Sequence, residues 1–273
     1  MDINYFEQIW SRKKTDKLAS QAFWDSRAEE FNQRVYTGEG EERLNKILEL
    51  LTSKGMLTSE SNVLDIGCGP GKYAARFAKS AKSVTGIDIA PKMIECAKEN
   101  AAMEGIANTE FNVVDWEELD INSLGWNKKF DLVVASMCPA INNRSALEKM
   151  VNASRGYWFM SSFVERTDQV KDHLSKYIVW QNAKGGHGKA IYCSFNILWL
   201  MGFHPEIIYI DTEWEHVMPI DKAKDFYCAN FEVTQKVTDE QKVFIQKYLE
   251  QIAENGFVEE TVKAKIAWMT WKV

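Results

Sequence analysis

Long hydrophobic runs are missing from this 273-residue chain. No stretch approaches the ~20 apolar residues that a membrane-crossing helix needs, so no membrane span is expected. Basic runs are missing too: none is longer than Arg12-Lys13-Lys14, and the formal net charge is −6. Phosphate contacts supply much of a nucleic-acid binder's affinity, and a basic stripe makes them, so a DNA or long-RNA partner is disfavoured. Cysteine is sparse and unpaired in pattern. Cys68, Cys96, Cys138, Cys193 and Cys228 form an odd, widely spaced set without a CxxC. That excludes a disulfide framework and points to reduced thiols in the cytoplasm. The first ten residues are acidic and mixed, unlike a secretory leader. The four histidines, His173, His187, His204 and His216, show no close spacing with each other or with cysteine, so no metal site is expected. Five prolines are scattered without forming a linker, and no internal repeat or low-complexity tract is present.

What remains is an ordinary globular composition, with 45% hydrophobic and 26% charged residues. Residues 2–54 read as helices, with Phe23, Trp24, Ala28 and Phe31, then Leu44, Ile47, Leu48 and Leu51, at helical spacing. From residue 62 short apolar runs alternate with helical segments. Strands are expected at 62–66, 83–87, 109–114, 130–135 and 157–163, and helices at 72–80, 91–104 and 145–152. Such alternation predicts an α/β fold: a doubly wound, mostly parallel sheet with helices on both faces. Further helices are expected at 167–180, 190–201 and 239–255, and strands at 206–211 and 262–271. The span 212–256 is too long for a turn and reads as an insertion before the last strand, set over the active site.

The chemistry is concentrated at strand ends. The run Val63-Leu64-Asp65-Ile66-Gly67-Cys68-Gly69-Pro70-Gly71-Lys72-Tyr73 places three glycines at every second position between a buried strand and a helix. Glycine lets the backbone turn tightly and approach a ligand closely, and the helix start offers free N–H groups. The spacing is not that of a P-loop, and Lys72 stands where a dinucleotide fingerprint needs its third glycine. Asp88 ends the second strand, where a carboxylate can accept both hydroxyls of a ribose. Asp115 and Trp116 end the third, and Ser136, Met137, Cys138 and Pro139 end the fourth. All four loops lie at the carboxyl edge, where open α/β sheets bind ligands.

The segments VLDIGCGPGKYA, VTGIDIAPKMIECAKENA, FNVVDWEEL and FDLVVASMCPAI, in this order, resemble the successive motifs of class I, Rossmann-like, S-adenosylmethionine-dependent methyltransferases of the small-molecule type. Residues 23–31 resemble the lid helix that precedes the core in many such enzymes. The resemblance implies a helical lid at 1–56, a methyltransferase domain at 57–273, and a seven-stranded sheet. It implies S-adenosylmethionine as cofactor and a small molecule as substrate, methylated on O, N, S or C. By position, the turn Gly67, Cys68, Gly69, Gly71 holds the methionine part of the cofactor. Asp65 orients its ammonium, Asp88 binds the ribose with Ile89 against the adenine, and Asp115 meets the adenine amine with Trp116 beside the ring. Ser136 and Met137 lie near the transferring methyl group. No residue is singled out as the base; His187, in a Gly-rich loop, and Cys138, beside the methyl position, are the weak catalytic candidates. Trp24, Trp116, Trp180, Trp199 and Trp214 are candidates for an aromatic pocket, with Trp268 and Trp271 assigned to packing. The rival readings are a tRNA- or rRNA-modifying methyltransferase and a cofactor-holding protein without activity.

Overall fold

A computed structural model describes residues 2–10, 16–34, 39–178, 188–233 and 235–273. Four helices come first: α1 (Ile3–Trp10), α2 (Lys17–Ser26), α3 (Ala28–Arg34) and α4 (Glu39–Ser53). The alternating part follows as β1 (Asn62–Ile66), α5 (Lys72–Ala78), β2 (Ser83–Asp88), α6 (Pro91–Met103), β3 (Thr109–Val113), β4 (Phe130–Ser136) and α7 (Arg144–Ala153). Then come β5 (Ser154–Asp168), α8 (Gln169–Ile178), α9 (Lys189–Leu200), β6 (Glu206–Pro219), α10 (Ile220–Glu232), α11 (Asp239–Ile252) and β7 (Phe257–Lys272). Local chemistry marks several helix starts. Pro91 opens α6, where its missing N–H has no partner to lose. The Asn143 side chain caps α7, and Thr238 with Gln241 forms a capping box on α11.

The strands form one seven-stranded sheet in the order β3-β2-β1-β4-β5-β7-β6. β7 alone runs against its neighbours, and the other pairings in the ladder from β3 to β5 are parallel. Val63, Leu64 and Ile66 of β1 and Leu132, Val133 and Val134 of β4 are fully buried, because helices cover both faces. α4, α5 and α6 pack on one face around Ile47, Leu51, Phe77 and Ile94. α1, α7 and α9 pack on the other around Trp10, Leu147, Met150 and Ile197. The doubly wound architecture expected from the sequence is present. No helix among the described residues is long and apolar enough to cross a membrane.

The carboxyl-terminal part departs from the expected boundaries. β5 runs from residue 154 to 168, β6 from 206 to 219 and β7 from 257 to 272. These strands, of 15, 14 and 16 residues, are longer than the apolar runs that announced them, because their outer segments alternate charged and apolar residues, as in Glu213-Trp214-Glu215-His216. A strand with one wet face needs only every second residue to be apolar. The interruption between the last two strands is therefore 220–256, not 212–256, and it contains α10 as well as α11. The stripe Ala223, Tyr227, Phe231, spaced by four, buries one face of α10.

β4 pairs with β5 only as far as Ser136 opposite Ser161. Beyond it β5, β7 and β6 continue as a three-stranded arm past the edge of the parallel sheet. At about 3.3 Å per residue, residues 162–168 carry it some 23 Å further. α8, α10 and α11 pack together against the arm around Val170, Leu174, Tyr227, Ile245, Leu249 and Val258, forming a small core of their own.

Candidate functional site

The sheet order reverses between β1 and β4, so the loops after these strands diverge to opposite faces and leave a crevice at the carboxyl edge. The glycine turn lines one side. Gly67, Gly69 and Gly71 have φ of 69°, 53° and 73°, a left-handed conformation that side chains disfavour. A Cβ on Gly67 would stand 2.5 Å from Cys138 Sγ, and one on Gly71 would stand 2.6 Å from Ala97 Cβ. A Cβ on Gly69 would meet nothing nearer than Met93 Sδ at 3.9 Å, an ordinary contact, so this glycine is not crowded. The turn is fastened to β2 by the Gly67 and Cys68 N–H groups, both donating to the Ile87 carbonyl.

Two carboxylates flank the turn. Asp88 is pinned by backbone donors, with Gly69 N–H on one oxygen at 3.0 Å and Ala90 N–H on the other at 2.9 Å. Burial raises its pKa despite these donors. Asp65, 2% exposed, points inward from β1. Its Oδ2 is buried with no hydrogen-bond partner. Burial, and next to it the charge of Asp88, lifts its pKa to about 7. A buried carboxylate oxygen without a donor is costly, and a cation or donor placed beside it removes that cost.

The loop after β4 forms the opposite wall. Met137 adopts a left-handed backbone (φ 54°), rare for a non-glycine residue and held here by its N–H, which donates to both the carbonyl and the hydroxyl of Ser161 at 3.0 Å. Ser136 and Ser161 hydroxyls meet at 3.1 Å. Ser161 escaped the sequence reading because nothing in its local motif ties it to β4; only the pairing register does. Cys138 packs against Gly67, and burial pushes its thiol up to about 12. It therefore stays protonated and is a poor nucleophile at neutral pH.

Asp115 sits beside α2: its carboxylate accepts from Glu117 N–H at 2.9 Å and pairs with Lys17 Nζ at 3.0 Å. Ile89 lies half-buried next to Asp88. Trp116 is buried in the core on the α7 face, its indole N–H donating to the Ala146 carbonyl at 3.2 Å. Among the described residues the candidate tryptophans do not gather into one pocket. Trp24 packs with Phe31 against α6, Trp214 lies on the arm, and Trp199 is 53% exposed on α9. Trp268 and Trp271 are buried as packing residues. Trp180 and His187 lie outside the described residues. His173 stacks on Tyr248 of α11, His204 meets the Trp199 ring edge to face, and His216 lies 3.6 Å from Glu30. Among the described residues no His, Cys, Asp and Glu group has the makings of a metal site.

A second link, absent from the sequence reading, joins α3 to the turn. Lys72 is buried and donates to the Asn32 carbonyl, and burial lowers its pKa to about 8. Asn100 of α6 donates to Asn32 Oδ1 at 2.7 Å and to the Pro70 carbonyl at 2.8 Å. The amino-terminal helices are thus fixed to the backbone of the turn.

Residues 57–225 match the family model described as a methyltransferase domain, and the chain belongs to that family. Its fold is shared with YcgJ of Bacillus subtilis, at a TM-score of 0.53 and 15% identity over 84% of this chain and 98% of that one. It is also shared with magnesium protoporphyrin IX methyltransferase of Synechocystis PCC 6803, solved with bound SAH, at a TM-score of 0.53 and 19% identity over 72% and 93% of the two chains. Among curated proteins, the 23S rRNA (uracil(1939)-C(5))-methyltransferase RlmD of Klebsiella pneumoniae is 33% identical over 102 residues, which is 37% of this chain and 22% of that protein. The chain spans about a fifth of the length of the curated rRNA methyltransferases it matches.

Proposed function

We propose that this chain transfers the methyl group of S-adenosylmethionine to a nucleophilic atom of a small molecule, with the crevice between β1 and β4 as its site. The observation that carries the reading is Asp65: a buried carboxylate oxygen with no donor, beside a turn of three left-handed glycines. The ammonium of the cofactor's methionine part is the donor this oxygen lacks, and Gly69 leaves the backbone open for it to approach. Asp88, held in place by backbone N–H groups at the end of β2, would accept from the ribose hydroxyls. Asp115 would exchange its contact with Lys17 for the adenine amine.

The bound cofactor would supply an electrophilic methyl sulfonium, so the protein's task is alignment and exclusion of water. The Met137 and Ser161 corner would fix one side of the acceptor's approach. α2 and α3, tied to the turn through Asn32, would close the site from one side as a lid, and the arm with α10 would close it from the other. Enclosure on two sides favours a small acceptor over an RNA. The rRNA methyltransferases match only a fraction of this chain.

Calorimetric titration tests the reading. S-adenosylmethionine and S-adenosylhomocysteine are expected to bind, NAD is not, and Asp88→Ala is expected to weaken binding by at least about tenfold, the loss that goes with charge-assisted hydrogen bonds. NAD binding alone, or unchanged affinity in Asp88→Ala, would overturn it.

A further inference from the structure

We propose that the inward face of the arm is an anion site that holds a carboxylate of the methyl acceptor; the proposal rests on the methyl-transfer reading above and names the substrate class. Arg166 emerges from β5 beyond the last pairing with β4. Its guanidinium lies over two rings, 5.1 Å from the centre of Phe163 and 5.4 Å from that of Trp214, which stack on each other at 6.1 Å. Its terminal nitrogen donates to Asp168 Oδ2 at 2.9 Å. The fork is therefore held on three sides, yet its Nε is buried and has no partner. A buried N–H of a charged group is rarely left unmatched without a reason.

A second cation stands nearby without a match. Lys171, in the first turn of α8, makes no ammonium hydrogen bond or ion pair among the described residues. Burial, and next to it the charges of Arg166 and Arg27, hold its pKa below the ordinary lysine value, and Asp168 and Asp172 offset only part of this. Arg27 approaches from the opposite side, at the junction of α2 and α3. It is sandwiched by Phe31 at 4.7 Å and Phe226 of α10 at 4.8 Å and is held in a two-point pair with Glu30. Glu30 thus answers Arg27, and Asp168 answers Arg166. Two acids are left on this face: Asp172, which accepts from Asp168 N–H, and Glu260, which is raised to about 7 by burial and by its hydrogen bond with Asp168 and also accepts from the Tyr227 hydroxyl and Val170 N–H. Arg166 Nε and the Lys171 ammonium remain as two unmatched donors, a pair that suits the two oxygens of one carboxylate.

The position fits an acceptor for the β4 corner. Phe163 lies two residues past Ser161 on the same strand, about 7 Å along it, and the Arg166 guanidinium folds back over this ring. A small acid anchored there would reach the Ser136, Met137 and Ser161 corner with its other end, its apolar body against Phe163 and Trp214.

The test uses the full chain saturated with S-adenosylhomocysteine. Benzoate, phenylacetate and indole-3-acetate are titrated in parallel with their neutral amides. At least one acid is expected to bind, with its amide at least about tenfold weaker. Arg166→Gln and Lys171→Met are each expected to weaken acid binding about tenfold, the loss of one charge-assisted hydrogen bond. Both should leave S-adenosylhomocysteine affinity within about twofold, as expected of separate sites. Lys171→Met, which removes an unmatched, partly buried cation, is also expected to raise Tm, so a lost acid response in it is not a folding defect. Equal binding of acids and amides, no acid bound by the loaded protein, acid binding untouched in both variants, or a preference for inorganic phosphate would each overturn the carboxylate site. Failure to bind S-adenosylhomocysteine would instead strike the methyl-transfer reading, a separate readout of the same titration.

Discussion

The two halves of the crevice are built from different materials. The half formed by β1, β2 and their turns offers a ligand mainly backbone: three glycines, N–H groups, and Asp88 pinned by those N–H groups. The half formed by the arm offers long side chains: Arg27 and Arg166, held by rings and carboxylates, Lys171 beside them, and the stacked rings of Phe163 and Trp214. Backbone fixes an unvarying partner, since its geometry cannot change without changing the fold. Side chains are the part that substitution can retune. A cofactor common to a family belongs on the first half, and an acceptor that differs between members belongs on the second.

Four experiments would break or sharpen this contrast. The largest effect is expected from Gly71→Ala, which forces a side chain into a left-handed residue 2.6 Å from Ala97 Cβ. It should cost about 2–4 kcal/mol. Gly105→Ala, also left-handed (φ 67°) but facing open space, should cost only about 1 kcal/mol. Urea unfolding measures both, and equal losses would show that close approach plays no part at the turn. Next, Tyr227→Phe removes the hydroxyl that Glu260 accepts in the arm core. It should cost about 1–3 kcal/mol while leaving S-adenosylhomocysteine affinity unchanged; a parallel loss of affinity would mean the two halves are not independent.

The third concerns pH. Asp65 holds its proton up to about 7 in the free protein, chiefly through burial. If its ionised form binds the ammonium, binding expels that proton. Affinity should then rise by up to about tenfold per pH unit below pH 7 and level off above it. Asp65→Asn should flatten this dependence, as measured by titration from pH 5.5 to 8. Without ligand the sign for stability is the opposite. Asp65 and Glu260 both bind protons more tightly folded than unfolded, so stability should fall as pH rises from the ordinary carboxylate range toward 7. The smallest effect is expected from Lys17→Ala. Its pair with Asp115 is exposed on the lysine side and screened by solvent, so thermal unfolding should show little or no change in Tm.

The same contrast explains what could be read from the sequence. The order of β1 to β4, the glycine turn, Asp65, Asp88 and the covering of both sheet faces follow from local signals, namely apolar runs, glycine spacing and an acid at a strand end. The arm does not announce itself this way. Its strands alternate charged and apolar residues, so their apolar centres at 157–163 and 206–211 were visible and their outer lengths were not. α10 did carry a usable signal, Ala223, Tyr227 and Phe231 four apart behind Pro219. Arg166 and Lys171 come from the successive elements β5 and α8, but Arg27 comes from the junction of α2 and α3 near the start of the chain, and only the fold brings its charge to theirs. The same holds for Lys72, whose tie to Asn32 depends on α3 lying over the turn.

The place of β7 has a consequence for how the molecule is made. It is synthesised after β6, yet it lies between β5 and β6 in the sheet. While the chain grows, the parallel strands from β3 to β5 are complete and able to pair. β6 emerges with no neighbour to receive it, carrying Ile208 and Tyr209 on an open edge. A nascent chain halted before residue 257 would hold a folded cofactor half and an unbuilt arm. The protein would gain its hold on S-adenosylmethionine before it gained any means of choosing what to methylate.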